Sequence, residues 1–425
     1  MRTQLSPFAT FSLLLLLLQG SLHAQDKTYT RSVIARLSSP EMYGRGYVSQ
    51  GDRIAADYLA AELAKWKVKP LGSSYLQHFA MKINGMTKAD LLLNGEPVRH
   101  KEWALVEASS PTLKGTFPVI HADSKALMQP GRLFAKAAEM PGAFYLLDST
   151  GLGNPALFAF AKNLLASKLI NKSGVIEVFH REPFGVVRKH FDDHAIIQLH
   201  SKNLPDTLRE VSVDIVNEYH PEYQTQNVIG HIKGKSDEWI VFTGHYDGEG
   251  MYGDLLFPAA SDNASGTAMV IDLARHYATG KKPHYNMAFM LFAGEEAGLH
   301  GSTHYVENPL FPLEKIRMVI NLDMVGTGQD GCMLFNATTW PEETALIHEL
   351  NNRHHYLWNI VERGPAANSD HHPFHLKGVP ALFFITQGKA GPGHTAFDTE
   401  AALPLYAYES LFRLVTHFVE RLPGL

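Results

Sequence analysis

The chain has 425 residues, of which 45% are hydrophobic, and a formal net charge of −5 at pH 7. This length and composition are sufficient to bury a large core, so the sequence predicts two or three folded domains and excludes general disorder. The small negative charge argues against a polyanion or an anionic membrane surface as the partner, and no nucleic-acid ligand is expected.

The first 24 residues have the composition of a secretory signal peptide. Arg2 is followed by the leucine-rich residues 13–18, and Ala24 is a small residue suited to the cleavage site. The apolar run is shorter than the roughly twenty residues of a membrane-spanning helix. The sequence therefore predicts cleavage near Ala24, export to the periplasm or the medium, and no stable membrane anchor. An uncleaved anchor is the alternative.

Cys332 is the only cysteine of the chain, so an intramolecular disulfide is impossible. An exported protein without disulfides must be stabilised by its core or by metal ions. Cys332 lies between Gly331 and Met333, and we interpret it as a small buried hydrophobe rather than a nucleophile.

The predicted elements divide the rest of the chain into a main domain and an insert. A helix over residues 51–66 comes first. Residues 81–216 then contain short apolar runs interrupted by Gly, Pro and Asn, which predicts a strand-rich inserted domain. The strands expected in the insert are residues 143–147, 175–179 and 195–199.

From residue 227 onward, apolar strands alternate with longer helices, the pattern of a parallel sheet covered by helices. The predicted fold class is α/β, with a mixed, largely parallel central sheet that has helices on both faces. The main domain would comprise residues 25–80 and 217–425. Its expected strands are residues 239–243, 287–292, 318–322 and 381–386, and its expected helices are residues 265–277, 341–354 and 405–421.

Three of the predicted strands end in side chains that can bind metals. His245 and Asp247 follow the first strand, Glu295 and Glu296 follow the second, and Asp323 follows the third. The ligand crevice of an open α/β sheet lies at the carboxyl ends of its strands, so we expect these groups to meet in space.

Two loop residues are expected at the same edge of the sheet. Asp262 immediately precedes a predicted helix, and His394 follows the last strand. With His245, Asp323 and one of the two glutamates, they supply two imidazoles and three carboxylates, the donor set of a two-zinc site. Taken alone, such a histidine is more often a simple hydrogen-bonding group, and an aspartate before a helix is more often an N-cap.

The adjacent Glu295 and Glu296 are the strongest single indication of a cation. Two neighbouring carboxylates at the end of an apolar strand repel each other and lose hydration unless a cation compensates them. In metal-assisted hydrolysis, one glutamate would bind zinc and the other would move a proton from water to the leaving amine. Two aspartates, Asp247 and Asp398, follow the two histidines closely and are expected to orient the imidazoles by hydrogen bonds.

With these residues the chain resembles the M28 family of peptidases, in which two zinc ions act together. The matching blocks occur in the family's order, and the ordered set is specific although each block is weak alone. The blocks are residues 244–247 (GHYD), 261–266 (SDNASG), 292–302 (FAGEEAGLHGS), 321–326 (NLDMVG), 369–371 (SDH) and 394–395 (HT).

The resemblance implies a zinc-exopeptidase-like fold and an aminopeptidase that hydrolyses the N-terminal bond of peptides with a free N-terminus. It also implies that Glu295 is the general base, acting on a water held between two zinc ions. The implied zinc ligands are His245 and Asp323 for one ion, Glu296 and His394 for the other, and Asp262 for both.

The flanks of the insert also resemble this family. Residues 226–230 resemble the strand that returns the chain to the catalytic domain, and residues 42–45 resemble the family's N-terminal segment. Residues 81–216 therefore occupy the place where relatives often carry a protease-associated domain.

One departure from the family concerns the residue before the last histidine. Many relatives have a tyrosine there, whereas this chain has Gly393. If that tyrosine shapes the pocket or stabilises the developing oxyanion in relatives, another group must do so here. His371 or His372 is our hypothesis for this role.

Three alternatives remain open on the sequence. A glutaminyl cyclase would share the fold and use one zinc ion, and a binding module would keep the fold without catalysis. The complete ligand set and Glu295 argue against both. A carboxypeptidase or dipeptidase of the same family is a closer alternative, because the metal residues do not determine which end of a peptide is recognised.

Overall fold

The computed structural model describes residues 27–149, 154–167 and 170–423. The signal peptide predicted for residues 1–24 lies outside these ranges. None of the helices within them combines the length and the apolar composition that a membrane span needs.

The helices and strands of the described residues are numbered in chain order. The helices are α1 (Lys27–Leu37), α2 (Gly51–Lys65), α3 (Ser124–Leu127), α4 (Pro130–Glu139), α5 (Pro155–Ala166), α6 (Ser265–Thr279), α7 (His300–Glu307), α8 (Pro341–His354), α9 (His371–Leu376) and α10 (Tyr408–Arg421). The strands are β1 (Lys69–Pro70), β2 (Leu76–Leu93), β3 (Glu96–Pro97), β4 (Ala104–Val106), β5 (Leu113–His121), β6 (Phe144–Asp148), β7 (Gly174–Phe179), β8 (Ala195–His200), β9 (Glu210–Ile232), β10 (Trp239–His245), β11 (Met251–Tyr252), β12 (Leu255–Leu256), β13 (Asn286–Phe292), β14 (Ile316–Leu322), β15 (Gly331–Phe335), β16 (Ile360–Glu362) and β17 (Ala381–Gln387).

The main sheet has the strand order β16-β15-β17-β14-β10-β13-β9. The four central strands, β17, β14, β10 and β13, are parallel to one another. The flanking strands β15 and β9 pair antiparallel with β17 and β13. The sheet is therefore mixed and largely parallel, as the alternation of strands and helices predicts.

Alternate residues of the central strands pack against helices on opposite faces of this sheet. Ile240 and Phe242 of β10 belong to one hydrophobic cluster with α6 and α10. Val241 belongs to a second cluster that includes Tyr305 of α7 and Phe374 of α9. Because both faces are covered, the central strands are largely apolar on both faces rather than alternating between apolar and polar residues. The predicted fold class is confirmed.

Two long antiparallel strands, β2 and β9, connect the main sheet to the insert. The first part of β9 pairs antiparallel with β5. From β5 the sheet continues through β6, β7 and β8, all parallel, and β4 pairs antiparallel with β8 at its edge. The insert has helices α3, α4 and α5 as well, which its strand-rich composition did not predict. The proposed boundaries at residues 81 and 216 fall inside β2 and β9, and this division stays a prediction.

The predicted ends of the main-domain elements lie within three residues of the observed ends. The largest difference is at α10, which begins at Tyr408 rather than at residue 405. Leu405 has a φ of 49°, a left-handed conformation that a helix cannot contain. Cys332 is fully buried in β15, as predicted, and burial raises the pKa of its thiol to about 12.

Candidate metal centre

The metal-binding side chains lie at the carboxyl edge of the parallel strands. His245 ends β10, Asp323 follows β14, and Glu295 and Glu296 follow β13 after a two-residue turn. Gly294 of this turn has a φ of 71°, and a Cβ there would lie 2.9 Å from the Cβ of His300. The turn therefore needs glycine, and it directs both glutamates toward the neighbouring strand ends.

Asp262 lies between two histidines. Its Oδ1 is 3.2 Å from Nε2 of His245, and its Oδ2 is 3.2 Å from Nε2 of His394. Nε2 of His245 is also 3.4 Å from Oδ1 of Asp323, and Nε2 of His394 is 3.6 Å from Oε2 of Glu296. All five residues that the sequence analysis selects as ligands thus lie together, in two groups that share Asp262.

The donor atoms of this cluster fit cations. Oε1 of Glu296 and Oδ1 of Asp323 are buried without a hydrogen-bond partner among the described residues. Burial raises the pKa of both Glu295 and Glu296 well above the usual range. Buried, unpartnered carboxylates are costly unless a cation binds them, and imidazole with carboxylate is a donor set that zinc accepts.

His394 is the most exposed of the five, with 24% of its side chain accessible. Burial lowers its pKa, but the surrounding carboxylates, Glu296 first, outweigh burial and raise the pKa to about 11. The imidazole is therefore strongly attracted to this cluster.

Glu249 is a buried residue beside the centre that the sequence does not single out. Its Oε1 lies 3.1 Å from Nδ1 of His394, and its side chain has no exposed surface. Neither carboxylate oxygen of Glu249 has a hydrogen-bond partner among the described residues. The sequence signal is weak, because Glu249 is a single acidic residue between two glycines and belongs to none of the recognised blocks.

Asp398, predicted to orient His394, makes different contacts. Its two oxygens accept hydrogen bonds from the backbone amides of Ser261, at 2.8 Å, and Asp262, at 3.0 Å. Glu249 occupies the position beside His394 instead, so this contact was assigned wrongly. Asp398 therefore shapes the loop that presents Asp262, and burial raises the pKa of Asp398 to about 7.

Asp247 lies beside His245, as expected from the sequence. Its Oδ1 is 3.6 Å from Nδ1 of His245, and the backbone oxygen of Asp247 is 3.2 Å from the same nitrogen. The carboxylate also accepts hydrogen bonds from the amides of Glu295 and Glu296 and from the Tyr47 hydroxyl. Asp247 thereby connects the two strand ends that carry the cluster.

Arg45 supplies a buried positive charge beneath the centre. The side chain is inaccessible, and its guanidinium donates to four backbone oxygens at 2.6 to 3.0 Å. These oxygens belong to Leu37, Tyr246, Pro258 and Ala259. Arg45 therefore joins the N-terminal segment to the loops after β10, and its charge partly offsets the carboxylates above it.

A hydrogen-bonded chain fixes Asp323. The Ser369 hydroxyl donates to Oδ2 of Asp323 at 2.8 Å and accepts from the Asn321 amide at 2.8 Å, and Thr243 donates to Asn321. Neighbouring Asp370 is fully buried. Burial raises the pKa of its carboxyl, and the charge of nearby His245 opposes this shift only in part. Asp370 therefore also faces the centre.

The two histidines proposed for the oxyanion make contacts with other aromatic rings. The ring of His371 packs 5.0 Å from that of Phe383, and the ring of His372 lies 6.3 Å from that of His375. Burial lowers the pKa of His371 to about 3. These contacts do not test the oxyanion hypothesis, which stays a prediction.

Gly393 leaves room for a Cβ next to the centre. A Cβ at this position would lie 3.4 Å from Cε of Met324 and 3.5 Å from Oδ2 of Asp262, both ordinary contact distances. A larger side chain here would lie over Asp262.

Asp52, at the start of α2, gives a pH-dependent prediction. It is fully buried, accepts hydrogen bonds from Tyr223 and Thr225, and has its pKa raised by burial from 3.8 to about 6. The native state holds this proton more tightly than the unfolded chain does. The resulting stabilisation is therefore present below about pH 4 and is lost as the pH rises to about 6.

We expect Asp52→Asn to remove this part of the pH profile. The free energy of unfolding of the variant, relative to the original protein, should rise between about pH 4 and pH 6 and stay constant above. Urea titrations across this range measure it, with the exposed Asp57→Asn as control. A difference that does not change with pH would contradict the assignment.

Comparison with known proteins gives this centre a family. The model for peptidase family M28 matches residues 227–419, which contain every candidate ligand described above. Aminopeptidase YwaD from Bacillus subtilis is 29% identical over 178 residues, which are 38% of this chain and 35% of that protein. A probable glutamate carboxypeptidase from Zea mays is 30% identical over 202 residues, which are 42% of this chain and 27% of that protein. The chain thus spans about a third of the length of the Bacillus protein and about a quarter of the length of the maize protein.

Solved structures resemble nearly the whole chain. A zinc aminopeptidase from Bacillus subtilis has a TM-score of 0.66 at 20% identity, with 94% of this chain and 97% of that chain covered. A peptidase M28 precursor from Shewanella amazonensis has a TM-score of 0.62 at 17% identity, with 93% and 96% covered. At these identities the likeness shows the fold alone. From the family match, residues 227–419 of this chain belong to peptidase family M28.

Proposed function

We propose that this chain is a zinc-dependent aminopeptidase that hydrolyses the N-terminal peptide bond of peptides. The position of Asp262 carries the proposal, because its two oxygens each lie 3.2 Å from a different histidine. A carboxylate in this position can bridge two cations. Membership in family M28 and the aminopeptidases among the relatives support the same conclusion.

The proposed ligands divide into two sets that share Asp262. His245 and Asp323 form one set, and Glu296 and His394 form the other. Bound zinc would polarise the scissile carbonyl and lower the pKa of a water molecule.

Glu295 is the proposed general base. Its carboxylate lies within 4.8 Å of the donor atoms of His245 and Asp323, so it can reach the same reacting water. It would take a proton from that water and pass it to the leaving amine. Burial raises the pKa of Glu295 well above its usual range, with a further contribution from Asp370. A raised pKa suits proton transfer near neutral pH.

A carboxypeptidase is the second candidate. One curated relative is described as a probable glutamate carboxypeptidase, and the metal-binding residues do not determine which end of the peptide is recognised. The two activities differ in whether a free amine or a free carboxylate of the substrate is required.

We also propose that residues 1–24 direct export, because their composition is that of a signal peptide.

Metal analysis with a substrate panel tests this proposal. Purified protein is expected to hold about two zinc ions per chain and to release chromophore from aminoacyl amides but not from their N-acetylated forms. Asp262→Asn should reduce the bound zinc at both sites, because Asp262 is the shared ligand. The exposed Asp57→Asn serves as the matched control and should keep both ions.

Two results would contradict the proposal. Zinc-loaded protein that cleaves only substrates with a free C-terminus would favour the carboxypeptidase. Protein that binds no zinc at all would refute a metallopeptidase.

A further inference from the structure

His394 is the proposed ligand with the least support from the main sheet. It lies between β17 and α10, in a stretch without regular strand or α-helix around it, and follows the sequence Gly391-Pro392-Gly393. Its own φ is 57°, a left-handed conformation. The other four ligands have side chains that are at most 10% exposed, whereas that of His394 is 24% exposed. Contacts from outside this loop must therefore hold the imidazole in place.

The insert provides such contacts through the segment between β7 and β8. The ring of Phe184 stacks on the ring of His394, with centroids 4.7 Å apart and planes inclined by only 4°. The Gly185 amide donates to the backbone oxygen of His394 at 2.8 Å, and the Gly185 oxygen lies 3.1 Å from Nδ1 of the same histidine. Phe184 thus fixes the plane of the His394 ring, and Gly185 holds the backbone of His394.

Phe184 is anchored within the insert, and Gly185 packs against side chains of the main domain. The Gln198 side chain on β8 accepts from the Phe184 amide at 2.9 Å and donates to the Phe184 oxygen at 3.0 Å. Gly185 is closely surrounded, because a Cβ there would lie 2.7 Å from the Phe257 ring and 3.0 Å from the Tyr252 hydroxyl. The anchoring leaves the segment little freedom to move relative to the metal centre.

We propose that the insert positions His394 as a metal ligand, through a clamp formed by Phe184 and Gly185. This inference rests on the proposed function, because it assumes that His394 binds zinc. The stacked ring fixes the imidazole plane. The Gly185 oxygen accepts from Nδ1 and so holds the proton on that nitrogen, while Nε2 faces Asp262 and Glu296. The insert thereby determines how tightly one of the two zinc ions is held.

The test measures zinc affinity without using peptidase activity. Competition with a chromophoric chelator gives the affinities of the two zinc ions of the full chain in turn. We expect Phe184→Ala to weaken the binding of one zinc ion by about 10- to 100-fold, the usual cost of losing a residue that orients a metal ligand. The affinity of the other ion should stay unchanged. Phe184→Tyr keeps the stacked ring and should restore the original affinity.

The matched control is Phe191→Ala. Phe191 lies in the same segment and is 38% exposed, similar to the 41% of Phe184. Thermal unfolding of the metal-free variants checks that both fold like the original protein. Unchanged affinities for both zinc ions in Phe184→Ala would refute the clamp. A chain that binds no zinc before any substitution would refute the proposed function instead, so the two failures are distinguishable.

Discussion

Replacing Glu295 by Gln is expected to lower kcat by about 10³-fold while both zinc ions stay bound. Glutamine has nearly the same shape as glutamate but cannot accept the proton of the attacking water. Glu295 is not needed as a ligand in our assignment, so the metal content should not change. Steady-state kinetics on a chromogenic aminoacyl amide and zinc analysis of the same preparation measure the two quantities.

The neighbouring residue is the control for this prediction. Glu296→Gln should instead lower the affinity for the zinc ion shared with His394, because Oε2 of Glu296 lies 3.6 Å from Nε2 of that histidine. The two substitutions thus separate a proton carrier from a ligand. A Glu295→Gln protein with nearly full kcat, or one that loses zinc, would overturn the assignment.

Replacing Arg45 by Met is expected to lower the free energy of unfolding by about 3 to 5 kcal/mol. Four backbone oxygens lose their buried donor, and the carboxylates above lose a neighbouring positive charge. Methionine fills part of the same volume, so the loss is chiefly electrostatic. Urea unfolding of the zinc-loaded protein measures it.

Arg36→Ala is the matched control for Arg45. Its guanidinium is about half exposed and lies 3.7 Å from an exposed Glu41 carboxylate, so its removal should change stability by less than about 1 kcal/mol. If Arg45→Met were no more destabilising than Arg36→Ala, the buried charge would have no structural importance.

The candidate ligands at the strand ends could be predicted because local sequence patterns are sufficient to mark them. An apolar run of strand length that ends in or shortly before His245, Glu296 or Asp323 indicates both the strand and the position of its polar end. Parallel strands place their carboxyl ends at one edge, so residues distant in sequence are brought together. The structure places His245 3.2 Å from Asp262 and 3.4 Å from Asp323, and Glu296 3.6 Å from His394.

The residues around the ligands could not be predicted in this way. Asp398 is the acidic residue that follows His394 in sequence, yet Glu249, far away in the chain, lies beside the imidazole. Nearness in sequence decides contacts only within one regular element, and a loop can direct adjacent side chains to different places. Phe184 reaches the centre for a similar reason, from an insert that has no motif to mark it.

By itself, the sequence determined the α/β class, the order of the central strands along the chain and the candidate ligands. Each of these follows from apolar periodicity and from the polar residues that end the strands. Only the tertiary structure decided that Arg45, Tyr47, Glu249 and Phe184 surround the centre. Their contacts join residues about 200 positions apart, such as Arg45 with Tyr246 and Gly185 with His394, and such contacts depend on how whole elements pack rather than on local pattern.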